Sequence, residues 1–332
     1  MTPEWIFGLA GVLAAAAPLL IAVIGETFSE RAGVVNLSVN GAMLLAAMAG
    51  FAVAVQTGSL ELGFLTGTII GALMAFVVAF ASLTLRQSQV AVGLVLALLG
   101  RDLAYFLGNP FMGVPGPRVG ALPIPFLKDL PILGPLLFQQ TPIVYIALLT
   151  VVLAWIWIFQ TRPGLVLRCV GERPPAAFAR GIPVTRIRYG YAVLGGALVG
   201  FAGAAYTLDL KGGWQGPISG IDGIGWIVLA ITIFGGWHPV RGAFGALLFA
   251  WLQWVSLVLQ PSLPGIPSQV LNVAPFPLMI FALLLTNLGN TEWVQTALSR
   301  LPESSRRLAL RILHSLQVSP PAALGMAFEE ES

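Results

Sequence analysis

Apolar runs about 20 residues long recur along the chain, separated by short polar stretches. A helix needs about that length to cross a hydrocarbon core roughly 30 Å thick. Nine runs fit: Trp5–Ile24, Val34–Val55, Leu62–Leu85, Gln89–Gly108, Pro142–Phe159, Tyr189–Leu208, Gly223–Gly236, Gly242–Gln260 and Val273–Leu288. The seventh is short and edged by glycine, which predicts a partial or re-entrant helix. The second carries Asn36, Ser38 and Asn40 ahead of its apolar part, which predicts a discontinuous one. Lipid tolerates such irregular backbone only where protein or a water-lined cavity covers it. The predicted fold class is all-α: a polytopic membrane helical bundle of about nine spans, one or two of them broken or re-entrant. Residues 1–289 make the transmembrane unit and residues 290–332 a C-terminal tail.

Composition agrees with the pattern. Of 332 residues, 57% are hydrophobic and 9% charged, whereas a soluble domain carries roughly 25% charged residues. That excludes a soluble enzyme, a nucleic-acid binder and a disordered scaffold. Cys169 is the one cysteine, so no internal disulfide forms, and with two histidines the chain lacks the usual four-ligand set of a structural zinc site. No Lys or Arg precedes the first run, so it lacks the positive region of a signal peptide and is read as a retained span.

Charge placement sets a direction. With nine spans, 13 of the 17 Lys and Arg fall on one side: Arg31, Arg86, Arg241, six within residues 162–188 and four in the tail. Arg118, Lys128 and Lys211 fall on the other, and Arg101 lies inside the fourth span. The positive-inside rule then predicts an external N-terminus and a cytoplasmic C-terminus. The external stretch 109–141 holds seven of the prolines and reads as a rigid, irregular cap, either a connector or a docking surface. In the tail, Leu308, Ile312 and Leu316 recur at helical spacing beside Arg306, Arg307 and Arg311. That suits either an anionic inner leaflet or a solvated tail.

Ionisable groups inside the spans are few: Arg101 and Asp102 side by side, and Asp209 closing the sixth. Ion-coupled carriers use more intramembrane carboxylates than this. There is also no GxxxxGK[ST] phosphate loop. Uphill transport would therefore draw its energy from a partner. Arg101 and Asp102 either line a path or neutralise each other. Asn36, Ser38 and Asn40 either line a central cavity or satisfy broken backbone. Trp214 and Trp226 are either interfacial anchors or stacking platforms for a solute. Gly67 and Gly71, and Gly196, Gly200 and Gly203, have the small-xxx-small spacing that lets helix backbones approach closely.

The segment Thr161–Arg188 reads TRPGLVLRCVGERPPAAFARGIPVTRIR. Pro174 and Pro175 suit the first turn of a helix. Ala176, Ala177, Phe178 and Ala179 continue it, Gly181 ends it, and Pro183 blocks its resumption. The product is a short helix with an aromatic knob, Phe178, between Arg173 and Arg180. It is either a mechanical handle tethered between two spans or a basic loop that obeys the orientation rule.

This segment resembles the ATPase-contacting loop of ATP-binding cassette importer permeases of the branched-chain amino acid/ribose/nucleoside superfamily. Their pattern is close to T-x-x-G-x-x-x-R-A-x-G-E-N-x-x-A-A-x-x-x-G-I. The chain matches at Thr161, Gly164, Arg168, Gly171, Glu172, Ala176, Ala177, Gly181 and Ile182, and departs at Cys169 and Arg173. Phe28–Met43, FSERAGVVNLSVNGAM, is similar to the ERSGVVNIGLEGMM-like signature of nucleoside- and simple-sugar-type permeases, with Asn40 in place of the usual Glu. Ser219–Phe249 is similar to the G-x-G-x-x-x-I-A-x-x-x-x-G-x-x-x-P-x-G segment of the same permeases. The resemblance implies a transport subunit, not an enzyme, that binds no cofactor or metal. ATP and Mg would be handled by partner ATPase subunits. A second, related permease subunit and an extracytoplasmic substrate-binding protein would complete the importer. The resemblance places ATPase coupling at Gly171, Glu172, Arg173, Ala176, Ala177, Phe178, Arg180 and Gly181. The solute it implies is a nucleoside, a purine or a simple sugar, with branched-chain amino acids or riboflavin as alternatives within the superfamily. A stand-alone secondary carrier or channel is the alternative from another class.

Overall fold

A computed structural model gives the structure of residues 4–262, 277 and 319–328. Ten α-helices form among them: α1 (Glu4–Arg31), α2 (Val39–Thr57), α3 (Leu60–Ala79), α4 (Gln89–Gly108), α5 (Pro142–Gln160), α6 (Arg162–Glu172), α7 (Pro174–Phe178), α8 (Val184–Ala205), α9 (Ile224–Phe234) and α10 (Pro239–Leu259). Eight helical stretches among the described residues are long and apolar enough to span a membrane. The ninth expected span, Val273–Leu288, and the expected tail helix of residues 300–316 lie outside the described residues.

α8 runs through the middle and packs along α3, α1 and α2. Glycine makes those contacts possible. A Cβ on Gly71 of α3 would lie 2.1 Å from the Gly196 carbonyl oxygen of α8, and one on Gly200 would lie 2.1 Å from that of Gly67. The two backbones touch, as the small-xxx-small spacing predicts. The outer faces of α3, α4 and α5 expose large apolar side chains, among them Leu65, Leu73, Val95, Leu149 and Leu153. An apolar surface this continuous requires lipid or a partner helix against it.

Two predicted irregularities are present. Residues 32–38 are non-helical, so the second span begins at Val39. The seventh is a 3-10 turn (Gly216–Ser219), two glycines with positive φ (Gly220, +67°; Gly223, +92°), and then α9. At 11 residues, α9 rises only about 16 Å, too little to cross alone. π-helical turns extend α3 to Thr84 and α8 to Leu210.

The first span differs most from its expected bounds. α1 continues past Ile24 to Arg31 and buries Glu26, Thr27, Ser29 and Glu30. The apolar run ends at Ile24, yet α8 continues to cover the helix beyond it. Gly25 and Gly195 meet backbone to backbone there, with a Cβ on either lying within 2.5 Å of the other's carbonyl oxygen. Two buried carboxylates thus join the acidic groups counted from the sequence.

The proline-rich stretch 109–141 folds back on itself. Leu122 N donates to Gln140 O and Ile124 N to Phe138 O, both at 2.9 Å. Asp209 ties it to α8, because its Oδ2 accepts from Thr141 Oγ1 at 3.0 Å and its carbonyl accepts from Arg118 Nε at 3.2 Å.

Candidate functional site

Contacts of Arg31 with Trp237 and Phe159, of Thr84 with Tyr189 and of Gly33 with Arg188 bring Arg31, the α3–α4 and α9–α10 connections and the segment 162–188 to one end of the bundle. Two groups of residues carry the candidate chemistry. One is the helical pair α6–α7 at that end. The other is a polar cluster where the two broken spans meet.

α5 stops at Gln160, and Thr161 starts α6 at once. Its Oγ1 accepts from Gly164 N at 3.1 Å, an N-terminal cap with Pro163 in the first turn. α6 buries Gly164, Leu167, Val170 and Gly171, half-buries Val166 and Arg168, and exposes the rest. α7 follows within two residues, shorter than the composition suggests because Ala179 and Arg180 already form the turn. Gly181, at φ +78°, occupies the left-handed position that ends it, and its N–H donates to Phe178 O at 2.8 Å. A small apolar core of Val170, Ala177 and Val184, with Val166, Ile182 and Ile187 around it, holds the pair together.

The expected coupling residues divide into anchors and a presented face. Gly171 and Ala177 are buried, and Glu172, Arg173, Ala176, Phe178, Arg180 and Gly181 are exposed. Phe178 leaves 39% of its surface open on one side of α7. α6 itself was not placed from sequence. Its arginines and glycines break the apolar pattern, although Thr161 followed by Pro163 is a start signal.

Behind this face, the guanidinium groups of Arg31 and Arg168 each lie over the Phe159 ring, 5.4 Å from its centre. His238 stacks on the same ring at 4.8 Å. Burial, then the charges of Arg241 and Arg31, hold the His238 imidazole below its ordinary pKa. Its Nδ1 accepts from Val240 N and caps α10. Trp237 Nε1 donates to the Glu30 carboxylate, and Arg31 Nε donates to Trp237 O at 2.5 Å. The end of α1 is thereby locked to the α9–α10 turn. Glu26 is fully buried one turn before Glu30. Both glutamates escaped the sequence reading because they sit beyond the apolar run. Their i, i+4 spacing was the available signal.

The second group is built on the break before α2. Asn36 Oδ1 accepts from Ser38 N at 3.2 Å and from Ser38 Oγ at 2.6 Å, fixing a local turn. Both residues are buried. Asn40, also buried, reaches across to the other broken span. Its Oδ1 accepts from Gly223 N (2.9 Å) and Gly225 N (3.2 Å), and its Nδ2 donates to Asp222 Oδ1 at 2.8 Å. Tyr105 OH donates to Asp222 Oδ2 at 3.0 Å. Asp222 itself is exposed and borders a cleft of about 640 Å³ with Lys211, Gln253 and Trp254. On α4, Arg101 Nε meets Asp102 Oδ1 at 3.0 Å. Trp214 is fully buried beside Tyr105, with its indole on Gly108, and so is no interfacial anchor. Trp226 is 38% exposed.

Asn40→Ala removes the acceptor from two amides at the start of α9. The expected loss is about 1–3 kcal/mol, the cost of leaving buried donors unpaired. A lowered thermal unfolding temperature of the purified protein checks this.

The chain matches, over residues 8–286, a protein family described as branched-chain amino acid transport system / permease component. A protein provisionally named a glucose ABC transporter permease, from Haloferax volcanii, is 37% identical over 281 residues, covering 79% of this chain and 83% of that one. A nucleoside ABC transporter permease of Lactococcus lactis is 35% identical over 290 residues, covering 83% and 91%. A guanosine ABC transporter permease of Bacillus subtilis is 32% identical over 286 residues, covering 81% and 88%. No solved structure matches the chain.

Proposed function

We infer the function from one premise: the chain belongs to the branched-chain amino acid transport system permease family. It is a multi-pass transport subunit of an ATP-binding cassette importer. It works with ATPase subunits and a second permease subunit.

The observation that carries the mechanism is the pair α6–α7, which presents Phe178 between Arg173 and Arg180 on a base of its own small core. We place the ATPase contact there, at Gly171, Glu172, Arg173, Ala176, Ala177, Phe178, Arg180 and Gly181. This end faces the cytoplasm on the strength of its arginines, which puts the subunit in the inner membrane of a bacterium. ATP and Mg stay on the ATPase. Closure of the ATPase pair pushes α6–α7, which sits directly between α5 and α8. α8 in turn lies along α1, α2 and α3, so the push reaches the broken spans.

The solute we propose is a nucleoside or a simple sugar, the classes named for its relatives. The break at Asn36, Ser38 and Asn40 borders its path. Asn36 and Ser38 hold the turn, and Asn40 meets Asp222 and Tyr105. Exposed Asp222 is an acceptor for the hydroxyl groups that both solute classes carry. Asn at position 40 fits this cluster better than the Glu usual in similar permeases, because it donates to Asp222. A substrate-binding protein delivers the solute on the far side, and residues 290–332 form the cytoplasmic tail. The assembled importer in proteoliposomes tests the solute class. Uptake of labelled guanosine or glucose is expected, with leucine and riboflavin failing to compete. Competition by leucine would assign the amino acid branch instead.

A further inference from the structure

The C-terminal residues 319–328 return to the arginine-rich end and lie against α6–α7. Ala323 N donates to Gly171 O at 2.9 Å and Gly325 N to Gly33 O at 3.0 Å. Ala322 N donates to Glu172 Oε2 at 3.3 Å. The buried Arg188, in the first turns of α8, donates from Nη1 to Met326 O at 2.8 Å. Phe328 meets Phe178 edge-on, with ring centres 5.7 Å apart and planes at 61°, and joins the small core beneath α7. Gly33 makes room for the segment. A Cβ there would sit 3.1 Å from Ala323 O and 2.9 Å from Arg188 Nη2, and its φ of +91° suits glycine alone. One short stretch is thus fastened to α6, to the α1–α2 turn and to α8.

We propose that residues 319–328 form a fixed part of the surface that receives the ATPase, with Met326 and Phe328 widening the apolar knob of Phe178. The proposal rests on the assignment of α6–α7 as the ATPase contact. A removable plug would lie over the presented face. Here Phe178 stays 39% exposed with the segment in place, and Arg173, Ala176 and Arg180 are exposed as well. The segment flanks α7 and leaves that face open. It also adds an exposed apolar side chain of its own, Met326, 60% open. The partner that fits is an ATPase with an apolar groove wide enough for two rings and a thioether.

Photoreactive benzophenone side chains test this in the full importer held in lipid nanodiscs. One sample carries the group at Phe178 and another at Met326. ATPase adducts are expected from both. An adduct from Phe178 alone overturns the proposal and leaves the α6–α7 contact standing. No adduct from either, in a complex that still retains its ATPase, overturns both. Met326→Asp gives an independent reading, because the side chain is exposed and the fold does not depend on it. ATPase retention on purified permease is expected to weaken about tenfold, the scale of one lost apolar interface contact. Unchanged retention overturns the proposal. So does a rise in ATP turnover, which is what release of a plug would produce.

Discussion

Gly71→Val is expected to abolish recovery of folded permease. A Cβ at position 71 would lie 2.1 Å from Gly196 O and 2.6 Å from both Cα and N of Gly200. All three are backbone atoms of α8, so no side chain turns aside to relieve the contact. Forcing an extra group into a packed site costs typically about 1–3 kcal/mol, and more when the neighbours are rigid. The clash also parts α3 from the helix on which α1 and α2 rest. Gly190→Ala is the control. It lies in α8 with nothing within 4 Å of its added Cβ, and alanine favours a helix by about 0.5–1 kcal/mol over glycine. Size-exclusion yield and unfolding temperature in detergent separate the two. An unchanged profile for Gly71→Val would show that α3 and α8 do not meet as described.

Phe178→Asp is expected to cut ATP-driven uptake about thirtyfold or more while the permease remains folded. Truncating a central aromatic anchor of an interface costs about 2–4 kcal/mol, and a carboxylate in its place must also be desolvated. The side chain is 39% exposed, so the fold itself loses little. Gly181→Pro reaches the same end by another route. Proline is confined to negative φ, whereas position 181 sits at +78°, and its N–H, which proline lacks, holds the turn to Phe178 O. Uptake and permease level in the same membranes distinguish lost coupling from lost protein. Normal uptake in both variants would remove α6–α7 as the handle.

The sequence already contained most of the membrane architecture, because spans are long and uniformly apolar. The close helix contacts were legible in glycine spacing, and α7 in its two prolines and Gly181. Features that depend on distant partners were not. Glu26 and Glu30 look like the polar end of a span until the fold is seen to bury them, α8 against Gly25 and Ser29 and Trp237 against Glu30. Asn40 left two roles open, and its bonds to Gly223, Gly225 and Asp222 appear only when two broken spans are brought together. Residues 319–328 have neither periodicity nor charge to mark them. Their placement comes from backbone hydrogen bonds to Gly171 and Gly33, about which sequence pattern says nothing. Arg101 and Asp102, adjacent in sequence, do form a pair.

The central claim is that solute moves through this chain only when a separate ATPase drives it. Proteoliposomes holding the permease subunits and loaded binding protein, with and without the ATPase, test it most directly. Uphill solute uptake should require both the ATPase and ATP, and a proton or sodium gradient imposed on vesicles lacking the ATPase should produce none. Gradient-driven accumulation by the permease alone would contradict the account and make the buried Glu26 and Glu30 the first candidates for ion coupling.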